Sequence, residues 1–476
     1  MDDPVLAVDL DGTLLRTDSL WESLLLLLRE RPLSLGPLVL ALLKGRAEFK
    51  AHVAELTLPD VAALPLNEPL LDWLADERRS GRHLVLATAA DQRIAAAVAE
   101  RVGLFDAVLA SDAGRNLKGG SKANALVTRF GRGGFDYAGD AYADLPVWRE
   151  ARRAIVVGGP ALERAARRVA EVERVFPPGQ GRPAALLRAL RPHQWAKNLL
   201  ILLPLLAAHR LDAPGLLAAV LAFIAFGLTA SAVYLINDLL DLGADRRHPR
   251  KCRRPFASGE LPLAWGLMIA PLLLIAAMTL SLWALPPLFT LVLGGYFLLT
   301  SAYSFGLKRS PILDVLLLAA LYTVRVIAGA AAVTVAPSFW LLAFSMFIFL
   351  SLALSKRYTE LLGLLQRGEL TAAGRGWHVD DLPLVQSLGT SAGLTCVLVL
   401  ALYVDSAQAQ RLYATPEALW LICPLLLYWI SRLWFKTHRG EMHDDPVVFA
   451  LRDRTSLLIG ALAAGIGLLA TVGVIV

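Results

Sequence analysis

Two hydrophobic rhythms run along the 476 residues of this chain. Up to about residue 185, apolar runs are short and punctuated by Gly, Asp and Arg. Beyond it they lengthen to nearly 20 residues, the length that a hydrocarbon core of about 30 Å asks of a helix. The first rhythm predicts strands. Val5 to Val8 in "VLAVDLDGTLL" form a short apolar run that ends on Asp9, and similar runs follow in "HLVLATAA", "AVLAS", "FDYAGD" and "AIVVGG", with helical stretches between them. This alternation predicts an α/β domain built on a parallel sheet. The second rhythm predicts an all-α membrane domain of nine transmembrane helices, centred near residues 203, 227, 274, 295, 323, 347, 394, 427 and 466. "FPPGQGRP", residues 176 to 183, breaks helix and strand alike, so the expected division is 1–175, a linker at 176–190, and 191–476.

One stretch fits neither rhythm. "LWESLLLLLRERPLSLGPLVLALLKGR", residues 20 to 46, is too apolar for an ordinary soluble surface. Arg29, Glu30, Arg31 and Pro32 nevertheless cut it into pieces too short to span. A helical cap over about residues 18–80 accounts for it. Its apolar face either rests on the bilayer or is buried against the sheet; flotation of the domain on membranes separates the two.

Composition sharpens the membrane reading: 56% of residues are hydrophobic and 18% charged, with a mean hydropathy of +0.53. The net charge of +6 raises the question of nucleic acid. The basic residues gather in loops between spans, however, where topology and anionic ligands explain them better, and no nucleic-acid partner is expected. Sixteen of them (Arg246, Arg247, Arg250, Lys251, Arg253, Arg254, Lys308, Arg309, Lys356, Arg357, Arg367, Arg375, Lys436, Arg439, Arg452 and Arg454) fall on one side, against Arg210 and Arg411 on the other. The positive-inside rule makes that side cytosolic. The acidic opening "MDDP" is unlike a signal peptide, so the first domain is expected in the cytosol. Nine spans of an inner (cytoplasmic) membrane protein then leave Val476 outside. Cys252, Cys396 and Cys423 have neither metal nor disulfide spacing and read as reduced packing residues. The sequence is compatible with a homo-oligomer.

The chemistry concentrates in "NDLLDLGADRRHPRKCRRP", residues 237 to 255. If the second span continues as a helix, Asn237, Asp241 and Asp245 recur every four residues beside Asp238 and share one face. Such carboxylates repel one another unless a cation neutralises them. Hard oxygen ligands suit Mg²⁺, which completes its shell with water and phosphate oxygens, and the basic residues that follow can take further phosphate charge. In the fifth span Asp314 and Arg325 stand eleven residues apart, about 16 Å along one face. An arginine so deep should face a polar cavity holding a partner or ligand. "LSKRYTEL" and "FALRDR" add further positive charge on the cytosolic side. Together these clusters predict a cavity for a ligand carrying diphosphate plus further phosphate.

The Asp-rich stretch resembles the signature of the UbiA-type intramembrane prenyltransferase superfamily. "RPHQWAKN", "YSFGLKRSPILDV", "SKRYTEL" and "ALRDR" are similar to its decaprenyl-phosphate phosphoribosyltransferase-like branch. The resemblance implies a UbiA-like fold in which Asn237, Asp238, Asp241 and Asp245 hold Mg²⁺ and a donor diphosphate, Asp238 and Asp241 being catalytic. It further implies that Lys197, Arg254, Tyr303, Lys308, Asp314, Arg325, Lys356, Arg357 and Arg454 line the donor and acceptor pocket. The second Asp-rich motif of true prenyltransferases is replaced here by "SKRYTEL", with Glu360 its only acid, which favours an anionic acceptor such as a polyprenyl phosphate. The donor implied is phosphoribosyl pyrophosphate. His193 departs from the basic residue that relatives often carry.

In the first domain "DLDGT", Thr88, a lysine in "NLKGGSKANAL" and "GDAYAD" resemble, in order, the four motifs of haloacid dehalogenase-like (HAD-like) phosphatases. That resemblance implies a Rossmann-like sheet, Asp9 as nucleophile, Asp11 as general acid and base, and Mg²⁺ held by Asp9, Asp11, Asp140 and Asp144. Lys122 is the expected lysine, with Lys118 its competitor. Fusion of the two domains predicts sequential chemistry: transfer of 5-phosphoribose to the lipid phosphate, then removal of the 5-phosphate. The rival readings are a prenyltransferase acting on a small acceptor, with the first domain regulatory or acting on an unrelated phosphate ester, and a transporter.

Overall fold

A computed structural model describes residues 4–31, 43, 45–112, 115–177, 179, 181–209, 212–371, 375–442 and 445–472. Pro32, Arg210 and Val476, which entered the cap, orientation and terminus expectations, lie outside the described residues, as do parts of the apolar stretch 20–46 and of the Pro/Gly segment 176–183. The chain forms two compact units, Met1–Leu190 with Tyr234–Pro271, and Arg191–Val233 with Leu272–Val476. The Asp-rich segment therefore belongs to the same unit as the first domain.

The first unit is built on six parallel strands in the order β3-β2-β1-β4-β5-β6: β1 Val5–Val8, β2 Leu84–Asp91, β3 Ala107–Ser111, β4 Phe135–Gly139, β5 Arg153–Val157 and β6 Glu171–Phe176. The central strands are continuous apolar runs because both faces are covered. On one face Leu70, Trp73 and Leu74 of α3 (Glu68–Arg79) and Ile94, Ala95 and Val98 of α4 (Gln92–Val102) pack on Leu6, Val8, Leu84 and Leu86. On the other, Leu126 of α5 (Gly120–Phe130), Trp148 of α6 (Leu145–Glu150) and Leu162 of α7 (Pro160–Ala166) pack on Ala7, Tyr137 and Val156. The chain leaves β1 for one side of the sheet and returns on the other at β4, so the carboxyl ends of β1 and β4 form the crevice where such sheets bind ligands.

The residues expected as a cap divide between two cores. α1 (Ser19–Glu30) and α2 (Arg46–Leu56) share a small core of their own, Leu20, Leu24, Leu27, Phe49, Val53 and Leu56. α3, inside the expected cap, is instead a sheet-covering helix. Residues 182–190, expected as linker, form the helix α8 (Arg182–Leu190), with Ala185 and Ala189 buried.

Among the described residues, eight helices are long and apolar enough to cross a membrane: α9 (Ala213–Leu240), α11 (Leu263–Ala284), α12 (Pro287–Phe305), α13 (Pro311–Ala332), α14 (Phe339–Gln366), α15 (Leu382–Val404, 26 residues with its leading turn), α16 (Ile422–His438, 23 with its leading turn) and α18 (Arg454–Val472). The span expected near residue 203 is not among them. It is a 3₁₀ helix, Pro192–Leu202, followed by the short α-helix Leu203–Ala207. Close packing accounts for the departure: a Cβ on Gly227 would stand 2.6 Å from the Trp195 ring, and one on Gly329 would stand 2.1 Å from the Ile201 carbonyl oxygen. Elsewhere the second unit packs large side chains against glycines in the same way, with the Trp434 ring on Gly389 and Ile430 on Gly393. Cys396 and Cys423 are buried and all three cysteines are free, as packing residues should be.

Candidate active sites

The first site lies at the carboxyl ends of β1 and β4. Val8 pairs with Ala138, so Asp9 and Asp140 leave neighbouring strands side by side. Asp144 arrives from the short turn Tyr142–Asp144, its carboxylate held by the Ala141 N–H at 3.1 Å. Ligand oxygens of Asp9, Asp140 and Asp144 all lie within 4.8 Å of one another, the one such group among the described residues. Gly12, at φ +78°, is obligatory here because a Cβ would meet Asp140 Oδ2 at 2.1 Å.

Lys122 rather than Lys118 enters this cluster. Its Nζ stands 2.8 Å from Asp9 Oδ2 and 3.7 Å from Asp144 Oδ1, and it donates to the Tyr137 hydroxyl at 2.6 Å. That hydroxyl in turn donates to Asp144 at 3.0 Å. Burial, joined by the charges of Asp9 and Asp144, pushes Asp140 up to about 8. Burial and the Asp9 charge also raise Asp144. For Lys122, burial works downward, but the Asp9 and Asp144 carboxylates outweigh it and raise the ammonium. Acids crowded until they resist ionisation are what a divalent cation relieves, so the set fits Mg²⁺.

Asp11 is outside that cluster. Its carboxylate accepts from the Ser19 N–H at 2.8 Å and the Ser19 hydroxyl at 3.1 Å. Burial, followed by the charge of Asp18, raises it to about 7. Thr88 is buried near the end of β2, its hydroxyl accepting from the Ala90 N–H at 3.0 Å. Lys50 of α2, Tyr137 and Ser19 escaped the sequence reading. Lys50 donates to the Ala89 carbonyl at 2.8 Å and lies in electrostatic reach of Asp9, Asp11, Asp18 and Lys118.

The Asp-rich segment keeps its helical ladder across α9 and α10 (Leu242–Arg247): Asp241 N donates to Asn237 O at 2.9 Å and Asp245 N to Asp241 O at 2.8 Å. Asn237, Asp241 and Asp245 therefore do rise in register. Asp238 and Asp245 are buried around a shared cation, Arg254 Nη1, at 3.1 and 2.7 Å. Burial raises Asp245 despite Arg254. Asp241 faces Arg29 Nη1 at 3.5 Å. These acids are gathered around the positive charge of Arg254 and Arg29, and their oxygens do not converge as those of Asp9, Asp140 and Asp144 do.

In the second unit the expected residues divide into two groups. Asp314, fully buried, accepts from Tyr303 (2.7 Å), Trp377 Nε1 (2.9 Å) and Arg357 Nη2 (3.1 Å). Arg357 also pairs with Glu360, which Arg375 reaches at 2.5 Å. Asp314, Tyr303 and Arg357 thus spend these contacts on one another and form a node joining α12, α13 and α14. Replacing Asp314 by Ala leaves the buried Trp377 N–H unsatisfied and Arg357 with Glu360 as its remaining carboxylate, and should cost about 1–3 kcal/mol, read as a lowered melting temperature in detergent. Adding Arg357→Met should restore part of that loss.

Arg325 stands apart from that node. It donates to Asn198 Oδ1 at 3.0 Å, to the Tyr296 hydroxyl at 3.1 Å and to the Leu321 carbonyl. It also lies 5.0 to 5.7 Å from the ring centres of Tyr296, Phe226 and Tyr322. Among the described residues no carboxylate pairs with it. Lys197 pairs with Asp445 and stands 5.7 Å from the Tyr322 ring, and Lys356 is within electrostatic reach of both Lys197 and Asp445. Lys308 is half-buried on the turn Leu307–Arg309, and Arg454 is exposed at the start of α18. Asp445 was missed although legible: it precedes Pro446 and caps α17 (Pro446–Arg452), accepting from Val447 N at 3.1 Å.

Known proteins share much of this sequence. The chain is 39% identical over 464 residues to the uncharacterized protein y4nM of Sinorhizobium fredii, covering 96% of this chain and 89% of that one. It is 37% identical to the nodulation protein NoeC of Azorhizobium caulinodans, over 58% of this chain and 91% of the relative. To the decaprenyl-phosphate phosphoribosyltransferase of Mycolicibacterium smegmatis it is 33% identical, over 60% of this chain and 91% of that enzyme. With the UbiA prenyltransferase family matching residues 199–452, the chain belongs to that family of membrane-embedded transferases.

Proposed function

We propose that the membrane domain transfers 5-phosphoribose from phosphoribosyl pyrophosphate to a polyprenyl phosphate, and that the first domain, acting as a HAD-type phosphatase, removes the 5-phosphate from the product. The observation that carries the transfer reading is Arg325, a buried guanidinium whose partners are neutral hydrogen-bond acceptors and aromatic rings. A buried cation without a counter-charge is costly, and an acceptor bearing its own phosphate supplies the missing anion. Lys197 and Lys356 add charge for the same headgroup. A phosphate oxygen is already a nucleophile, so the transfer needs no general base from the chain: the oxygen attacks C1 of the ribose as the bond to pyrophosphate breaks.

In the first domain, Asp9 attacks phosphorus, the bond to the leaving oxygen breaks, and Asp11 gives that oxygen its proton. Asp11 then takes a proton from the water that cleaves the aspartyl-phosphate. Lys122 holds Asp9 in place and balances charge on the phosphoryl oxygens. Mg²⁺ held by Asp9, Asp140 and Asp144, and separately by Asn237, Asp238, Asp241 and Asp245, supplies neutralisation of phosphate and pyrophosphate charge.

In topology, the 3₁₀ segment and the short helix after it, Pro192–Ala207, together reach about 30 Å, because a 3₁₀ helix rises about 2.0 Å per residue. That is a membrane's thickness in fewer residues than an α-helix needs. We therefore retain the orientation with a cytosolic first domain. Mass analysis of the lipid made by the full-length protein from polyprenyl phosphate and phosphoribosyl pyrophosphate tests the assignment. A polyprenyl-phosphoryl ribose is expected, whereas turnover of a prenyl diphosphate with a small acceptor would replace this reading by prenyl transfer.

A further inference from the structure

Helix α1 makes a series of contacts with groups that take no direct part in either proposed reaction beyond Asp11. At its start, Ser19 gives both its N–H and its hydroxyl to the Asp11 carboxylate. One turn on, Glu22 is 5% exposed and receives both arms of Arg246, Nη1 to Oε2 at 3.0 Å and Nη2 to Oε1 at 2.5 Å. Arg246 is itself fixed by its Nε on the Ala257 carbonyl at 3.1 Å. Thr17 closes the loop: its hydroxyl donates to Glu22 Oε1 at 2.6 Å, and its carbonyl accepts from the N–H of Gly12, next to Asp11, at 3.2 Å. A Cβ on Gly259 would stand 2.6 Å from the Arg16 Cβ, so the loop after the Asp-rich segment presses on the chain just beyond "DLDGT".

The geometry points to Arg246, a residue of the Asp-rich transferase segment, as a positioning residue for Asp11 in the first-domain site. The inference rests on the phosphatase reading of that site. A buried bidentate pair fixes direction as well as distance. Through it Arg246 sets where α1 begins, and the first residue of α1 is what holds the Asp11 carboxylate. Without Arg246, Glu22 keeps only the Thr17 hydroxyl, and a carboxylate so deeply buried draws α1 toward water. Asp11 then stands off its proton-transfer line while Asp9 and Lys122, anchored on β1 and α5, stay in place. The Asp-rich segment is thereby built into the phosphatase site, a reason for the two activities to share one chain.

A leaving-group series separates positioning from mere folding. Full-length protein in detergent is assayed with aryl phosphates from 2,4-dinitrophenyl, whose oxide leaves unprotonated, to phenyl, whose oxide needs a proton. Arg246→Ala should lower kcat/KM about tenfold or more for phenyl phosphate and less than about threefold for the dinitrophenyl ester. Arg246→Lys should fall between the two. Glu22→Gln should reproduce the Ala pattern, with no further loss in the double variant. Arg247→Ala, which breaks an exposed pair with Asp60, should leave the series unchanged. An equal loss across the series, or none, in Arg246→Lys and Glu22→Gln overturns the inference even if Arg246→Ala folds poorly. Wild-type protein that turns over none of these esters overturns the phosphatase reading and the inference with it.

Discussion

Asp9→Asn should stop aryl phosphate turnover, by on the order of 10³-fold or more, while the lipid product keeps its ribose 5-phosphate. The amide is a poor nucleophile, so the aspartyl-phosphate does not form. Fold and lysine should survive, since Asp9 is held by main-chain bonds, its N–H donating to Ala138 O at 2.9 Å, and Lys122 keeps Tyr137 and Asp144 as partners. Transfer itself uses none of these groups. Given polyprenyl phosphate and labelled phosphoribosyl pyrophosphate, the variant should therefore accumulate the lipid that still carries the ribose 5-phosphate. The wild-type protein should release that phosphate. If the two yield the same lipid while aryl phosphatase activity is lost, the first domain has another substrate.

The legible parts of this chain are those governed by local pattern. Short apolar runs bounded by Asp and Gly marked five of the six strands; β6, with its alternating charges in "EVERVF", is an edge strand and carries no such run. Length and hydropathy found the eight long helices. They did not foresee the form of the segment near residue 203, a 3₁₀ helix packed against bare glycines in other helices at Gly227 and Gly329. Motif order placed Asp9, Asp140, Asp144 and Lys122 together, a grouping that β1–β4 pairing produces. Pairs distant in the chain were invisible: Glu22 with Arg246, Lys197 with Asp445 and Asp314 with Trp377 are joined only by the fold. Asp314 and Arg325 were correctly seen on one helix, yet only the structure separates a saturated carboxylate from a guanidinium short of charge.

Asp241→Ala should abolish lipid formation, by on the order of 10³-fold, and leave aryl phosphate hydrolysis within about twofold of wild type. The substitution is clean because the α9 to α10 ladder runs through the Asp241 main chain, which alanine preserves. Asp238 and Asp245 also keep Arg254. What is lost is an acid of the set that faces the half-exposed Arg29 at 3.5 Å. Asp241→Asn should retain weak transfer with a raised Mg²⁺ requirement, the mark of a weakened ligand. Phosphatase activity should persist in both, since the Ser19–Asp11 and Glu22–Arg246 contacts do not involve Asp241. Transfer that survives Asp241→Ala at unchanged Mg²⁺ dependence would move the donor diphosphate off the Asp-rich segment.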